Sequence, residues 1–286
     1  MENYSAWIGK SETISDYLSP VPLKGLSALL DYEAIPWPEN KTFPLAHWFH
    51  FLPQARQSQI DVDGHPKRGG FLPPVALPRR MWAGGRLEFK APLTVAAPLE
   101  KCSSIANIQN KTGGTGELVF VTVRHEITSA GELAVIEEQD LVYRGEAGKT
   151  TQPKPSTGKV KKEAPATDAP VADECRTVTP DPVQLFRFSA LTFNSHRIHY
   201  DRDYARDVEG YAGLVVHGPF IATLLLDHFQ RCAPDKSITS FSFRAQRPLL
   251  DTDPFDVCLS WTDTGAKLWS RNSKGEATMT ATLEAE

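Results

Sequence analysis

Apolar and polar positions alternate along Leu118–Ile127 and again along Leu133–Tyr143, on either side of Ser129-Ala130-Gly131. Two half-buried strands joined by a tight turn give this pattern, which predicts a β-hairpin. The same alternation marks Leu87–Leu93, Ser104–Gln109, Phe241–Arg244 and Phe255–Trp261, with glycine-bearing turns around Gly113-Gly114 and Gly265. One long apolar segment follows a different period. Phe220-Ile221, Leu224-Leu225 and His228-Phe229 recur at helical spacing behind Gly218-Pro219, with proline where a first helical turn tolerates it. A fainter helical counterpart spans Leu23–Tyr32, whereas the proline-rich passage Pro36–Pro78 has no period that assigns it an element. The expectation is an α+β architecture of antiparallel strands wrapped around a central helix in each half.

The chain echoes itself. Leu87-Glu88-Phe89-Lys90 and Phe241-Ser242-Phe243-Arg244 both run into a proline, Pro92 and Pro248, and a second proline follows six positions later, Pro98 and Pro254. Alternating sequence then resumes in both halves, so a duplicated β-rich unit is the economical explanation. Between the copies, Ala147–Thr177 is dominated by Lys, Pro, Thr and Ala and holds no large aromatic residue. Such a composition cannot bury enough apolar area to offset its ordering entropy. Three segments are therefore expected: a first unit over 1–146, a linker over 147–177 and a second unit over 178–286.

Composition narrows the function classes. Of 286 residues, 41% are apolar and 23% charged, enough for a core, and a net charge of −4 supplies no global field for nucleic acid or an anionic membrane. No run of 18 apolar residues and no basic-then-apolar leader occurs, so neither a membrane span nor a signal peptide is expected. Cys102, Cys175, Cys232 and Cys258 are far apart without a CxxC pair, which suggests neither a zinc knuckle nor a disulfide framework and fits a reducing cytoplasm.

Polar chemistry concentrates in Phe193-Asn194-Ser195-His196-Arg197-Ile198-His199-Tyr200-Asp201 and in Val215-Val216-His217-Gly218-Pro219, just ahead of the long helix. A helix N-terminus exposes unpaired N–H groups and partial positive charge. A glycine there, Gly218, would let a thioester carbonyl approach and would stabilise negative charge developing on its oxygen. His199 and Asn194, five positions apart, could hold a water between them, with the imidazole as acid/base. The pairs His196-x2-His199 and His47-x2-His50 invite a metal reading, but neither has an acidic third ligand at suitable spacing, and no metal is assigned.

The string Asn194-x4-His199-Tyr200-Asp201-x3-Ala205, with Gly213-Leu214-Val215-Val216-His217-Gly218 downstream, resembles the hydratase signature of MaoC-like (R)-specific enoyl-CoA hydratases. The resemblance implies a hot-dog fold. Two such units, the first without the catalytic dyad, resemble the double-hot-dog dehydratases related to fatty-acid-synthase dehydratase domains. Leu77-Pro78-Arg79-Arg80-Met81-Trp82-Ala83-Gly84-Gly85 is most similar to bacterial itaconyl-CoA and mesaconyl-C(4)-CoA hydratases, which make or use citramalyl-CoA.

The family dyad is Asp and His, and Asn194 stands at the aspartate position, where it cannot take a proton from water. His199 is then the single proton-transferring group, Asn194 an orienting amide and the Gly218 N–H the oxyanion donor. Arg244 and Arg247 are candidates for CoA phosphates, Arg80 or Arg86 near Trp82 for an acyl carboxylate, and His217 for the substrate wall. The expected activity is reversible water addition to a short branched dicarboxylyl-CoA, without metal or redox cofactor, by a homodimer. The rivals are a (3R)-hydroxyacyl-thioester dehydratase of fatty-acid metabolism, a non-catalytic acyl-CoA-binding protein and a thioesterase on the same fold.

Overall fold

The computed structural model describes residues 3–38, 42–113, 116–145 and 171–286. The first half contributes β1 (Ser11–Tyr17), α1 (Pro20–Leu29), β2 (Arg79–Phe89), β3 (Pro98–Gly113), β4 (Gly116–Ser129) and β5 (Glu132–Arg144). The second contributes β6 (Glu174–Val178), α2 (Pro182–Thr192), α3 (Arg202–Asp207), α4 (Gly218–Cys232), β7 (Ile238–Ala245), β8 (Phe255–Thr262), β9 (Gly265–Arg271) and β10 (Ala277–Ala285).

All ten strands join one antiparallel sheet in the order β1-β3-β4-β5-β2-β7-β10-β9-β8-β6. Read from either outer edge, the order is first, third, fourth, fifth, second strand of that half. The duplication inferred from the echoing segments is thus a duplication of topology. Those segments meet at the seam, where Leu87 lies opposite Phe241 and Arg86 opposite Ser242. The tandem hot-dog arrangement is present.

Local chemistry explains the elements. Ala130 (φ 52°) and Gly131 (φ 86°) both take the left-handed conformation that a two-residue hairpin turn requires, and they join β4 to β5 as expected. Helix α4 starts at Gly218-Pro219, also as expected, and is buried without interruption from Phe220 to Phe229. A helix covered on every side belongs in the centre of the sheet's curl. Its buried Asp227 is satisfied by Tyr32 Oη (2.7 Å), Arg176 (2.6 Å) and Arg231 (3.0 Å). The first half's helix is shorter. Helix α1 is capped by Ser19 and opens on proline, as α2 is capped by Asp181 and opens on proline, so α1 is the counterpart of α2 in the fold. The passage Pro36–Pro78 carries only two short 3-10 turns, Ala46–Phe49 and Gln57–Gln59, among its described residues.

Two expectations are corrected. The linker does not reach 177, because Glu174–Val178 is a strand paired with β8; residues 147–170 of the expected linker lie outside the described residues. A composition average over thirty residues hides a five-residue edge strand at its end. Cys175 and Cys258 lie directly opposite each other in that pairing and form a disulfide, although no disulfide was expected. Their separation of 83 residues carries no signal until the strands are registered.

Candidate active site

At the N-terminal end of α4, a cavity of about 410 Å³ opens between the halves. Its second-half wall includes Phe188, Asn194, Ser195 and Pro219; its first-half wall includes Trp48, His65, Arg80, Trp82, Lys101 and Glu137. A larger cavity, about 660 Å³, lies near the other end of α4 between Trp37, Phe89 and Arg231, away from the histidines.

His199 is buried and its Nδ1 lies 2.7 Å from the Val215 carbonyl oxygen. A carbonyl only accepts, so Nδ1 carries the proton and Nε2 keeps a lone pair that makes no hydrogen bond among the described residues. Burial lowers the pKa to about 4, against the Val215 bond, so the ring is neutral at pH 7. The ring stacks on His217 at 3.6 Å between centroids. His217 is fully buried, meets Ser189 Oγ through Nε2 at 2.8 Å and leaves Nδ1 without a partner. Burial, then the neighbouring His199, depresses its pKa strongly. It is also the residue before Gly218, and no side chain caps α4 there. His199, His217 and Gly218 thus adjoin the cavity through Pro219 and Asn194 without lining it themselves.

Asn194 Oδ1 accepts from the His196 backbone N–H at 3.0 Å, forming a local turn, while its NH₂ group has no partner among the described residues and the residue lines the cavity. Arg80 and Trp82 line the cavity too. Trp82 packs edge-on against Trp48 (4.9 Å) and Phe243 (5.8 Å), and its Nε1 donates to the Gly84 carbonyl.

Arg86 is not brought to the cavity. It is exposed and binds Asp140 (2.7 Å) and Glu138 (3.0 Å). Arg80 and Arg86 share strand parity, but the register shifts between Trp82 and Gly84, and this bulge turns Arg80 and Trp82 to the face that carries Leu87. Arg86, beside Leu87, must face out. Arg244 and Arg247 are likewise exposed and outside the cavity lining; Arg247 donates to the Ala277 carbonyl.

Several polar residues were not anticipated. Glu137 is fully buried and accepts from His47 Nε2 (2.9 Å), Trp48 Nε1 (3.0 Å) and Gln139 Nε2 (2.9 Å). Burial would raise its pKa, but the His47 bond and charge prevail and hold it at about 2. Beside it, His125 reaches Ser103 Oγ at 2.8 Å and is lowered to about 4 by burial. The Lys101 ammonium is also lowered by burial and sits over the Phe51 ring at 4.9 Å. Neither Lys101 nor Arg80 forms an ion pair among the described residues. These side chains come from β2, β3, β4, β5 and the irregular 36–78 passage, so no sequence motif unites them.

A second group gathers at the same wall. His65 Nδ1 donates to Asp63 Oδ2 at 3.0 Å, and its ring lies 4.1 Å from that of His196, which is 5.4 Å from that of His199. Asp63, His65 and His196 offer donor atoms within 4.8 Å of one another, so the acidic neighbour missing from the sequence spacing arrives from the other half. The facing atoms of Asp63 and His65 already share a proton, however, as in an imidazole–carboxylate pair.

Residues 45–251 match the family model described as hydroxyacyl-thioester dehydratase type 2. The chain is 44% identical over 284 residues to a mesaconyl-C(4)-CoA hydratase of Chloroflexus aurantiacus, covering 99% of this chain and 98% of that one. It is 26% identical to a mitochondrial hydroxyacyl-thioester dehydratase type 2 of Schizosaccharomyces pombe, covering 90% and 91%. Among solved structures, a MaoC-like dehydratase of Phytophthora capsici superposes with a TM-score of 0.66 at 17% identity, covering 96% of each chain, which speaks to the fold alone.

Proposed function

The chain belongs to the hydroxyacyl-thioester dehydratase type 2 family, and on that premise we propose that it is an enoyl-CoA hydratase acting on a short dicarboxylyl thioester of the mesaconyl-C(4) or itaconyl type. The observation that carries this reading is His199: its proton is committed to Val215, its Nε2 lone pair is free, and it stacks on the residue that opens α4 beside the cavity. For a mesaconyl-C(4) thioester, whose double bond is conjugated with the thioester carbonyl, His199 Nε2 takes one proton from water in the hydration direction as the oxygen bonds to Cβ; an itaconyl thioester must first bring its double bond into conjugation, one proton leaving Cα and one joining the terminal methylene. The double-bond pair moves to Cα and onto the thioester oxygen, where the Gly218 N–H and the helix terminus stabilise it. His199 then returns the proton to Cα, giving a citramalyl-type hydroxyacyl-CoA. The free amide of Asn194 orients water or substrate. No resident cofactor is invoked, and dialysis against a chelator should leave the rate unchanged.

The acyl carboxylate is assigned to Arg80, a cation at the cavity without an anionic partner among the described residues. A long-chain 3-hydroxyacyl substrate is disfavoured by the same wall, because an alkyl chain would have to desolvate the cations Arg80 and Lys101 without replacing their hydrogen bonds to water. Phosphates of CoA would meet Arg244 and Arg247 at the exposed rim. The proposal includes a homodimer, since β1 and β6 leave open sheet edges. The test is water addition to a panel of enoyl-CoA thioesters followed by mass spectrometry. Dicarboxylyl substrates should turn over best; hydration of none of the panel, with the protein folded, would remove the reading.

A further inference from the structure

Water held for attack offers two hydrogens, and the mechanism above uses one acceptor for them. The Asn194 oxygen already commits one of its two lone pairs to the His196 N–H, so it is a poorer second acceptor than an imidazole nitrogen with none engaged. The first half places an alternative at the same wall. His65 lines the cavity beside Asn194 and Ser195, and its Nδ1–H is given to Asp63, which leaves Nε2 as an acceptor with no partner among the described residues.

The loop that carries it is built onto the second half. Asp63 Oδ1 also accepts the His65 backbone N–H at 2.8 Å, the Asp63 carbonyl accepts from the Arg197 N–H at 2.9 Å, and Arg197 Nη1 reaches the Val62 carbonyl at 3.1 Å. Gly64 (φ +93°) touches Ser195 so closely that a Cβ would stand 1.8 Å from its carbonyl oxygen, so only glycine fits. The loop therefore holds an oriented imidazole–carboxylate pair next to the position where the family's carboxylate has become Asn194.

We infer that His65 is the second acceptor for the attacking water: its Nε2 holds the hydrogen that stays on the product hydroxyl, while the other hydrogen passes to His199 and on to Cα, with Asp63 fixing the tautomer of His65. Atoms balance, since one water adds and both imidazoles end neutral. The charged and titratable groups facing His65 are Asp63, Arg68, Arg80, His196 and His199. Burial lowers its pKa and the Asp63 bond pulls it partly back. His65 must be neutral to accept, so its protonation at low pH should stop the reaction.

This inference rests on the hydratase reading, and the experiment separates the two. Wild type, His65→Phe, His65→Gln and Asp63→Asn are assayed on the best enoyl-CoA of the panel across pH, with circular dichroism for folding. His65→Phe should lose about 10²-fold in kcat with a small change in KM. His65→Gln, which restores an acceptor oxygen, should recover part of that loss. Asp63→Asn, by removing the charge that favours protonated His65, should move the acid limb to lower pH, which a purely structural loop would not do. Turnover by folded His65→Phe within threefold of wild type would overturn the inference while leaving the hydratase reading intact. So would metal bound by wild type and lost from His65→Phe, with activity abolished by chelation and restored by zinc.

Discussion

Glu137→Gln tests the energetics of the first-half wall. The carboxylate is fully buried and accepts three hydrogen bonds, from His47, Trp48 and Gln139. Holding a carboxyl at about 2 rather than 4.5 corresponds to about 3 kcal/mol of preference for the ionised form in the folded protein. Glutamine keeps the shape but loses the charge and turns an NH₂ group toward donors. The variant should be about 3 kcal/mol less stable at pH 7. Because the folded pKa lies below the unfolded one, the contribution is complete above pH 4.5, fades as pH falls toward 2 and is absent below; at pH 3 roughly half remains. Urea unfolding followed by tryptophan fluorescence at pH 7 and pH 3 measures both numbers. A destabilisation under about 1 kcal/mol at pH 7, or an equal one at both pH values, would refute the reasoning.

Other consequences are open to the same kind of check. His199→Ala should abolish hydration with the circular dichroism spectrum unchanged, and Asn194→Ala should cost about 10²-fold; a faster Asn194→Asp enzyme would show that a carboxylate is still useful at that position. Since the base must be unprotonated and burial lowers His199 to about 4, the acid limb of kcat/KM should fall below the ordinary histidine range; a limb near 6.5 would contradict this. Arg80→Met should raise KM for a dicarboxylyl-CoA far more than for crotonyl-CoA, whereas Arg86→Met should change neither. Thiol titration of the unfolded, unreduced protein should find two free cysteines, Cys102 and Cys232, and four after reduction; four before reduction would exclude the Cys175–Cys258 bond.

Legibility followed periodicity. The β4–β5 hairpin and α4 were readable because each repeats one side-chain spacing over ten or more residues and ends in glycine or proline chemistry. The candidates Asn194, His199, His217 and Gly218 can be singled out in the sequence because a short segment and a helix start hold them. The bulge beyond Trp82 was not, since one extra residue reverses a strand's faces without altering its composition; this is why Arg80 and Arg86 looked equivalent and are not. The Lys101, His125 and Glu137 wall is invisible along the chain because its members meet only across strands. His65 was missed because it stands in an irregular passage where no period marks which side chains turn inward. Strand β6 was lost inside a lysine- and proline-rich stretch, and with it the partner of Cys258.

The central claim is that the thioester sits at the amino end of α4, and a crystal structure with a saturated, unreactive dicarboxylyl-CoA bound locates it directly. The thioester oxygen should lie about 3 Å from the Gly218 nitrogen, with the acyl carboxylate at Arg80 and Cβ facing His199. An acyl chain lodged instead in the cavity between Trp37 and Arg231, with the Gly218 amide free, would contradict the account.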